Sequence, residues 1–138
     1  MKLPITGGCL CGSIRYECSS EPLGTGNCHC RDCQKARGSA FSPVFAIPAT
    51  ALKVTKGAVK IYASKADDGD TVRRAFCPEC GSPIYAFNDP TKEYVGVLAM
   101  SLDDPSWFQP TIDTWTASAQ PWVSLSTDTK KFTHDFIT

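Results

Sequence analysis

The amino-acid sequence predicts one mainly β domain, built of short antiparallel sheets stapled together and carrying at most short helices. Ten prolines and ten glycines are scattered along the 138 residues and leave no long stretch with helical period. Several short segments alternate polar and apolar residues or are rich in β-branched and aromatic ones, as half-buried strands are. Seven of the eight cysteines fall in three tight groups, which suits a chain held by local cross-links more than by long helices.

Taken in order, Ser13-Ile14-Arg15-Tyr16-Glu17-Cys18 alternates polar and apolar residues and puts Cys18 on the apolar face, where a core cysteine belongs. Residues 31–37 lack β-branched side chains and breakers and predict a short helix that ends at Gly38. Strands are expected at 44–47, 52–55, 59–63, 72–76, 84–87, 94–100, 111–116 and 131–137. Asp67-Asp68-Gly69-Asp70 supplies the Asp-Gly pair of a hairpin tip. Asp103-Asp104-Pro105 reads as a turn more than as a carboxylate dyad. Trp107, Trp115 and Trp122 read as core or rim.

A composition of 42% hydrophobic and 20% charged residues is that of an ordered globule, and its length fits one domain over residues 1–138. Fourteen basic and fourteen acidic side chains cancel, so no global field draws the chain to nucleic acid. Met1-Lys2-Leu3-Pro4-Ile5-Thr6-Gly7 breaks where an export signal needs an apolar run. No apolar segment approaches the roughly 20 residues that cross a bilayer. A cytoplasmic protein with no membrane partner is expected, its oligomeric state open between monomer and homodimer.

Reduced, metal-bound thiolates fit this compartment better than disulfides do. The groups are Cys9-x-Cys11, Cys28-x-Cys30-x-x-Cys33 and Cys77-x-x-Cys80. Zinc–sulfur bonds near 2.3 Å set ligand sulfurs under about 4 Å apart, within easy reach of cysteines on tight turns. The pairs Cys9/Cys11 and Cys77/Cys80 combine into one closed four-thiolate site, with Gly7, Gly8, Gly12 and Gly81 letting the backbone turn and aim its N–H groups at sulfur. Cys28, Cys30 and Cys33 offer three thiolates to a second zinc and leave one position open. Cys18 and His29 are the residues that could close it, but Cys18 reads as core and His29 lies between two ligands, as a surface histidine or a nearby acid/base. Three thiolates leave Zn²⁺ a weak Lewis acid suited to an incoming thiol, which would be deprotonated and delivered as a nucleophile. Arg31, Lys35 and Arg37 cluster beside the last ligand, either to offset its charge and receive carboxylates or as a solvated helix face.

At these residues the chain resembles the glutathione-dependent formaldehyde-activating enzyme family, which also includes centromere protein V. The resemblance rests on Gly7-Gly8-Cys9-Leu10-Cys11-Gly12 with Tyr16, on Cys28-His29-Cys30-Arg31-Asp32-Cys33 with Gly38, on Arg74 and Phe76-Cys77-Pro78-Glu79-Cys80-Gly81-Ser82, and on Leu102-Asp103-Asp104-Pro105. It implies the Mss4-like β fold, a structural zinc on Cys9, Cys11, Cys77 and Cys80, and a catalytic zinc on Cys28, Cys30 and Cys33. It also implies a carbon–sulfur lyase that joins glutathione to formaldehyde as S-hydroxymethylglutathione, with a donor such as His29 or a water protonating the new alkoxide. The chain departs from the family pattern at Met100 and Ser101, where members often carry glycine and threonine, and at Asp113, where they often carry histidine. Two other functions compete: a non-catalytic zinc module that binds a protein or nucleic-acid partner, and a methionine sulfoxide reductase relative, which would need Cys18 as its redox thiol.

Overall fold

The computed structural model describes residues 1–89 and 91–135. Among the described residues eleven strands form two sheets, with one α-helix between the third and fourth strands. In chain order they are β1 (Ile5–Gly8), β2 (Arg15–Cys18), β3 (Gly24–Cys28), α1 (Arg31–Arg37), β4 (Ser42–Pro48), β5 (Leu52–Lys56), β6 (Lys60–Lys65), β7 (Thr71–Phe76), β8 (Pro83–Asp89), β9 (Tyr94–Leu98), β10 (Ile112–Thr114) and β11 (Lys130–Lys131). The small sheet runs β1-β2-β5 and is antiparallel throughout; the large one runs β11-β10-β3-β4-β9-β8-β7-β6.

The mainly β expectation holds, and α1 covers the predicted residues, with Gly38 closing it at φ +60° in the left-handed conformation that glycine adopts without strain. The hairpin also forms: β6 and β7 flank residues 67–70, with Gly69 at φ +92°. Three features differ from expectation. The large sheet is mixed, because β10 runs parallel to both β3 and β11. Strand β9 stops at Leu98, and Ala99–Ser101 forms a single 3-10 turn, pinned where the Tyr16 hydroxyl donates to Ser101 Oγ at 2.6 Å and Ser101 in turn donates to the Leu98 carbonyl at 2.7 Å. The last expected strand shrinks to Lys130–Lys131 among the described residues, and 136–138 lie outside them.

Strands β1 and β3 were hidden by their glycines. A side chain at Gly7 would strike the Tyr16 hydroxyl and the Ser101 carbonyl, and one at Gly26 would strike the Ile112 side chain. These glycines mark close approach within a strand and not a turn. Close approach at Gly26 is also what lets β10 lie parallel against β3, with Asp113 opposite Asn27 and Thr114 opposite Cys28.

One apolar cluster joins both sheets: Ile5, Ile14 and Tyr16 on the small-sheet side meet Phe45, Ile47, Ile84, Val95 and Val97 of the large sheet. Phe45 is fully buried, and Trp107 meets it edge-on at 5.4 Å. Cys18 lies inside this core, and burial pushes its thiol up to about 11, so it is a packing residue and not a reactive one. Strand β6, at the end of the large sheet, is mostly exposed, and its lysines Lys60 and Lys65 mark it as a guarded edge. No helix among the described residues is long and apolar enough to cross a membrane.

Phe45→Ala should lower stability by about 3–5 kcal/mol through lost burial and the cavity left behind. Urea unfolding followed by tryptophan fluorescence measures this, and a loss under about 1 kcal/mol would mean that the ring is not central to the core.

Candidate metal centres

Two groups of sulfur atoms stand out, Cys9-Cys11-Cys77-Cys80 and Cys28-Cys30-Cys33, and within each the sulfurs lie within 4.8 Å of one another. All eight cysteines are free thiols. In the first group Cys9 and Cys11 sulfurs stand 3.6 Å apart and those of Cys11 and Cys77 3.8 Å apart. A tetrahedron with zinc–sulfur bonds near 2.3 Å has edges of about 3.8 Å. These two edges match a zinc-sized ion, and the four sulfurs are close enough together to hold one.

Local hydrogen bonds build that geometry. Cys77–Cys80 is a tight knuckle in which Gly81 N donates to Cys77 O at 2.8 Å and Cys77 N to Ser82 O at 2.9 Å, with Gly81 at φ +79°. The Ile14 N–H reaches Cys9 Sγ at 3.2 Å and the Glu79 N–H reaches Cys77 Sγ at 3.4 Å. Gly12 and Gly81 contribute positive φ, while these donors to sulfur belong to their neighbours. Leu10 N donates to Ser82 Oγ at 3.0 Å and ties the two knuckles to each other. Hydrogen bonds from the Ser82 side chain and backbone hold the Cys80 thiol down to about 5, as a ligand needs.

The second group sits where β3 runs into α1. Cys30 is the helix N-cap, and its sulfur accepts the Cys33 N–H at 3.3 Å. Contacts with Cys28 and Cys33 pull the Cys30 thiol far down, and the same contacts push Cys28 and Cys33 up. Three sulfurs this close cannot all shed protons by themselves, and a divalent cation would relieve the conflict. Among the described residues no histidine nitrogen or carboxylate joins the three sulfurs.

Of the two expectations for His29, a surface histidine or a nearby acid/base, the first is corrected. The residue is 1% exposed, its Nε2–H donates to Asp113 Oδ1 at 2.7 Å, and its ring leans on Phe41 at 5.2 Å. Asp113, 2% exposed, also accepts from Thr129 Oγ1 and has Lys131 Nζ at 3.7 Å from its Oδ2. Burial works to raise the Asp113 carboxyl, but the bonds from Thr129 and His29 outweigh it and hold the group below its ordinary value. Gln34, buried on α1, donates to the carbonyls of His29 at 2.7 Å and Ser118 at 3.0 Å and accepts from Arg31 and Gln120. The loop carrying Cys28 and Cys30 is thus braced from behind on two sides. Sequence reasoning met Asp113 only as a departure from the family pattern and passed over Gln34; their signal was the one charged residue of a strand segment of threonine, isoleucine and tryptophan, and an amide amid charged helix neighbours.

The three basic residues around Cys33 separate. Arg31 and Lys35 border a shallow depression with Gln120 and Trp122, the latter 74% exposed. Arg37 instead lines a groove of about 660 Å³ with Cys9, Leu10, Phe41, Met100 and the Arg15–Asp103 pair. In that pair Arg15 engages both carboxylate oxygens of Asp103, one at 2.8 Å, and Asp103 also accepts from Thr6 at 2.8 Å. Asp104 caps a turn by accepting from Ser106 N at 3.1 Å, so the adjacent aspartates are structural as expected.

Residues 4–118 match the family model of glutathione-dependent formaldehyde-activating enzyme. The chain is similar to proteins provisionally named as that enzyme: 31% identical over 111 residues to one from Colletotrichum graminicola, covering 72% of this chain and 57% of the relative. For one from Emericella nidulans the figures are 37% over 79 residues, 56% and 39%. The chain thus spans about half the length of these curated relatives. A crystal structure of a Rhodobacter sphaeroides protein has the same fold, with a TM-score of 0.58 at 24% identity over 72% of this chain and 88% of the other.

Asp113→Ala strands the His29 Nε2–H and the Thr129 hydroxyl in the interior and should cost about 3–5 kcal/mol at neutral pH. Because the carboxyl is depressed in the fold, its contribution is complete above its unfolded pKa of about 3.9 and fades as pH falls through the folded value. Denaturant unfolding of both proteins from pH 7 to pH 2 should show the gap narrowing at the acid end; a gap independent of pH would mean that Asp113 is not ionised in the fold.

Proposed function

The chain belongs to the glutathione-dependent formaldehyde-activating enzyme family, and from that premise we propose that it is a zinc-dependent carbon–sulfur lyase joining a thiol such as glutathione to a small aldehyde such as formaldehyde. The observation that carries this reading is the unequal sulfur count: a group of four complete by itself, and a group of three that no other donor among the described residues completes. The four-sulfur group then holds a structural zinc and the three-sulfur group a catalytic one. Zinc bound by three thiolates supplies a position where an incoming thiol loses its proton at neutral pH.

The chain's own residues prepare that position. Cys28, Cys30 and Cys33 are half-buried, so the group faces solvent on one side and the braced knuckle on the other. Arg74 acts electrostatically on Cys30 and favours its ionised form. His29 and Gln34 fix the knuckle from behind as positioning residues. In the reaction a sulfur–carbon bond forms, the carbonyl π bond opens, and one proton passes from thiol to the new hydroxyl. With His29 closed to solvent, water is the carrier of that proton.

Two measurements test this. Cobalt-substituted protein titrated with glutathione should change its thiolate-to-cobalt absorption bands; unchanged bands would assign the chain to the non-catalytic zinc-binding modules. Cys30→Ser should lower bound zinc from two ions per chain to one and remove S-hydroxymethylglutathione formation, with a circular dichroism spectrum like that of the parent. The fold survives because serine caps a helix at least as well as cysteine. Collapse of the fold would make the second zinc structural.

A further inference from the structure

Two of the three tryptophans have ring partners and one does not. Trp107 meets Phe45 edge-on and Trp115 meets His134 at 5.0 Å, whereas no aromatic ring among the described residues packs against Trp122, which is 74% exposed. The segment that carries it is nonetheless held. Val123 N donates to Gln120 O at 3.0 Å across a turn whose second position is Pro121, a residue with φ already set for that place. Gln120 Nε2 in turn donates to Gln34 Oε1 at 2.9 Å. Trp122 is thus presented to solvent on a turn stitched to α1.

It shares with α1 a shallow depression of about 440 Å³. Arg31 and Lys35 border it, four residues apart and so on one helix face, their Cβ atoms about 5–6 Å apart. Both are exposed, neither forms an ion pair among the described residues, and no carboxylate lines the depression. The Gln34 amide is already used on both sides: Oε1 accepts from Arg31 and Gln120, and Nε2 donates to the His29 and Ser118 carbonyls. What remains for a ligand is chiefly donors: the rest of the Arg31 fork, the Lys35 ammonium, the indole N–H and the Ser39 hydroxyl.

Two neighbouring cations without a counter-charge suit a group with several oxygens and more than one negative charge, which describes a phosphate and not a carboxylate. An exposed indole suits a planar ring on its face. The chain's charges cancel overall, so the patch matches a single phosphate, and the rest of the surface adds no field for a polyanion. We propose that this depression binds a nucleoside monophosphate, with the base stacked on Trp122 and the phosphate held by Arg31 and Lys35. None of the eight cysteines lines it, so the site does not depend on the thiol-activating function.

Calorimetric titration of the zinc-loaded protein with adenosine monophosphate tests the site. Trp122→Ala should weaken binding about tenfold or more, the scale of a lost base–aromatic stack, and Lys35→Met at least about threefold. Trp122→Phe, which keeps a ring, should recover most of the affinity. Both side chains are exposed, so circular dichroism should not change in any of the three. Adenosine and inorganic phosphate, each half of the ligand, should each bind at least about tenfold more weakly than the whole. No saturable binding to the parent at about 10 mM adenosine monophosphate overturns the proposal. So does inorganic phosphate that binds as tightly as the nucleotide, which would make the patch an adventitious anion site only. An affinity left unchanged by either Trp122→Ala or Lys35→Met overturns it as well, because the ring and the charge are both required.

Discussion

Sulfur atoms that would repel as thiolates are held within 4.8 Å of each other at two places, and the architecture makes most sense as the scaffold that keeps them there. At the first place the contact between Cys11 and Cys77 closes a loop spanning 66 residues. Bringing such distant segments together costs chain entropy that strands of four to seven residues recover only in part. An ion shared by the two knuckles would supply the remainder and set the small sheet against the large one. The groove lies along that junction.

The second group is built by different means. Its sulfurs come from one short span, so closure costs little and orientation is what must be controlled. Orientation comes from behind: the buried His29–Asp113 contact, the amide of Gln34 on the His29 carbonyl, and the parallel pairing of β10 beside β3 all act on the strand end that carries Cys28 and Cys30. A buried network of this kind is rigid because His29 Nε2, Asp113 and Gln34 each lose a hydrogen bond if they move, although His29 Nδ1 has no partner. The first centre is thus a clamp across the fold, and the second a braced ledge at its surface.

Much of this was legible in the sequence. The cysteine spacings gave both sulfur groups because ligand distance limits how far apart neighbouring donors can stand on a turn. Residues 31–37 and Gly38 gave the helix and its end, since cap chemistry is local. Two kinds of information were hidden. Strands β1 and β3 looked like turns because their glycines answer to Tyr16 and Ile112, residues close in space and distant in the chain. His29 read as exposed because a histidine among ligands gives no sign of its partner, and Asp113 lies 84 residues further on. The separation of Arg37 from Arg31 and Lys35 depended on which side of α1 meets the groove, and no local pattern encodes that.

Cys30 does two jobs with one atom: its sulfur belongs to the metal-binding group and also accepts the Cys33 N–H that starts the helix. A cation drawing on that sulfur would compete with the Cys33 N–H for the same lone pairs, so the metal-binding group and the first turn of α1 share one acceptor atom.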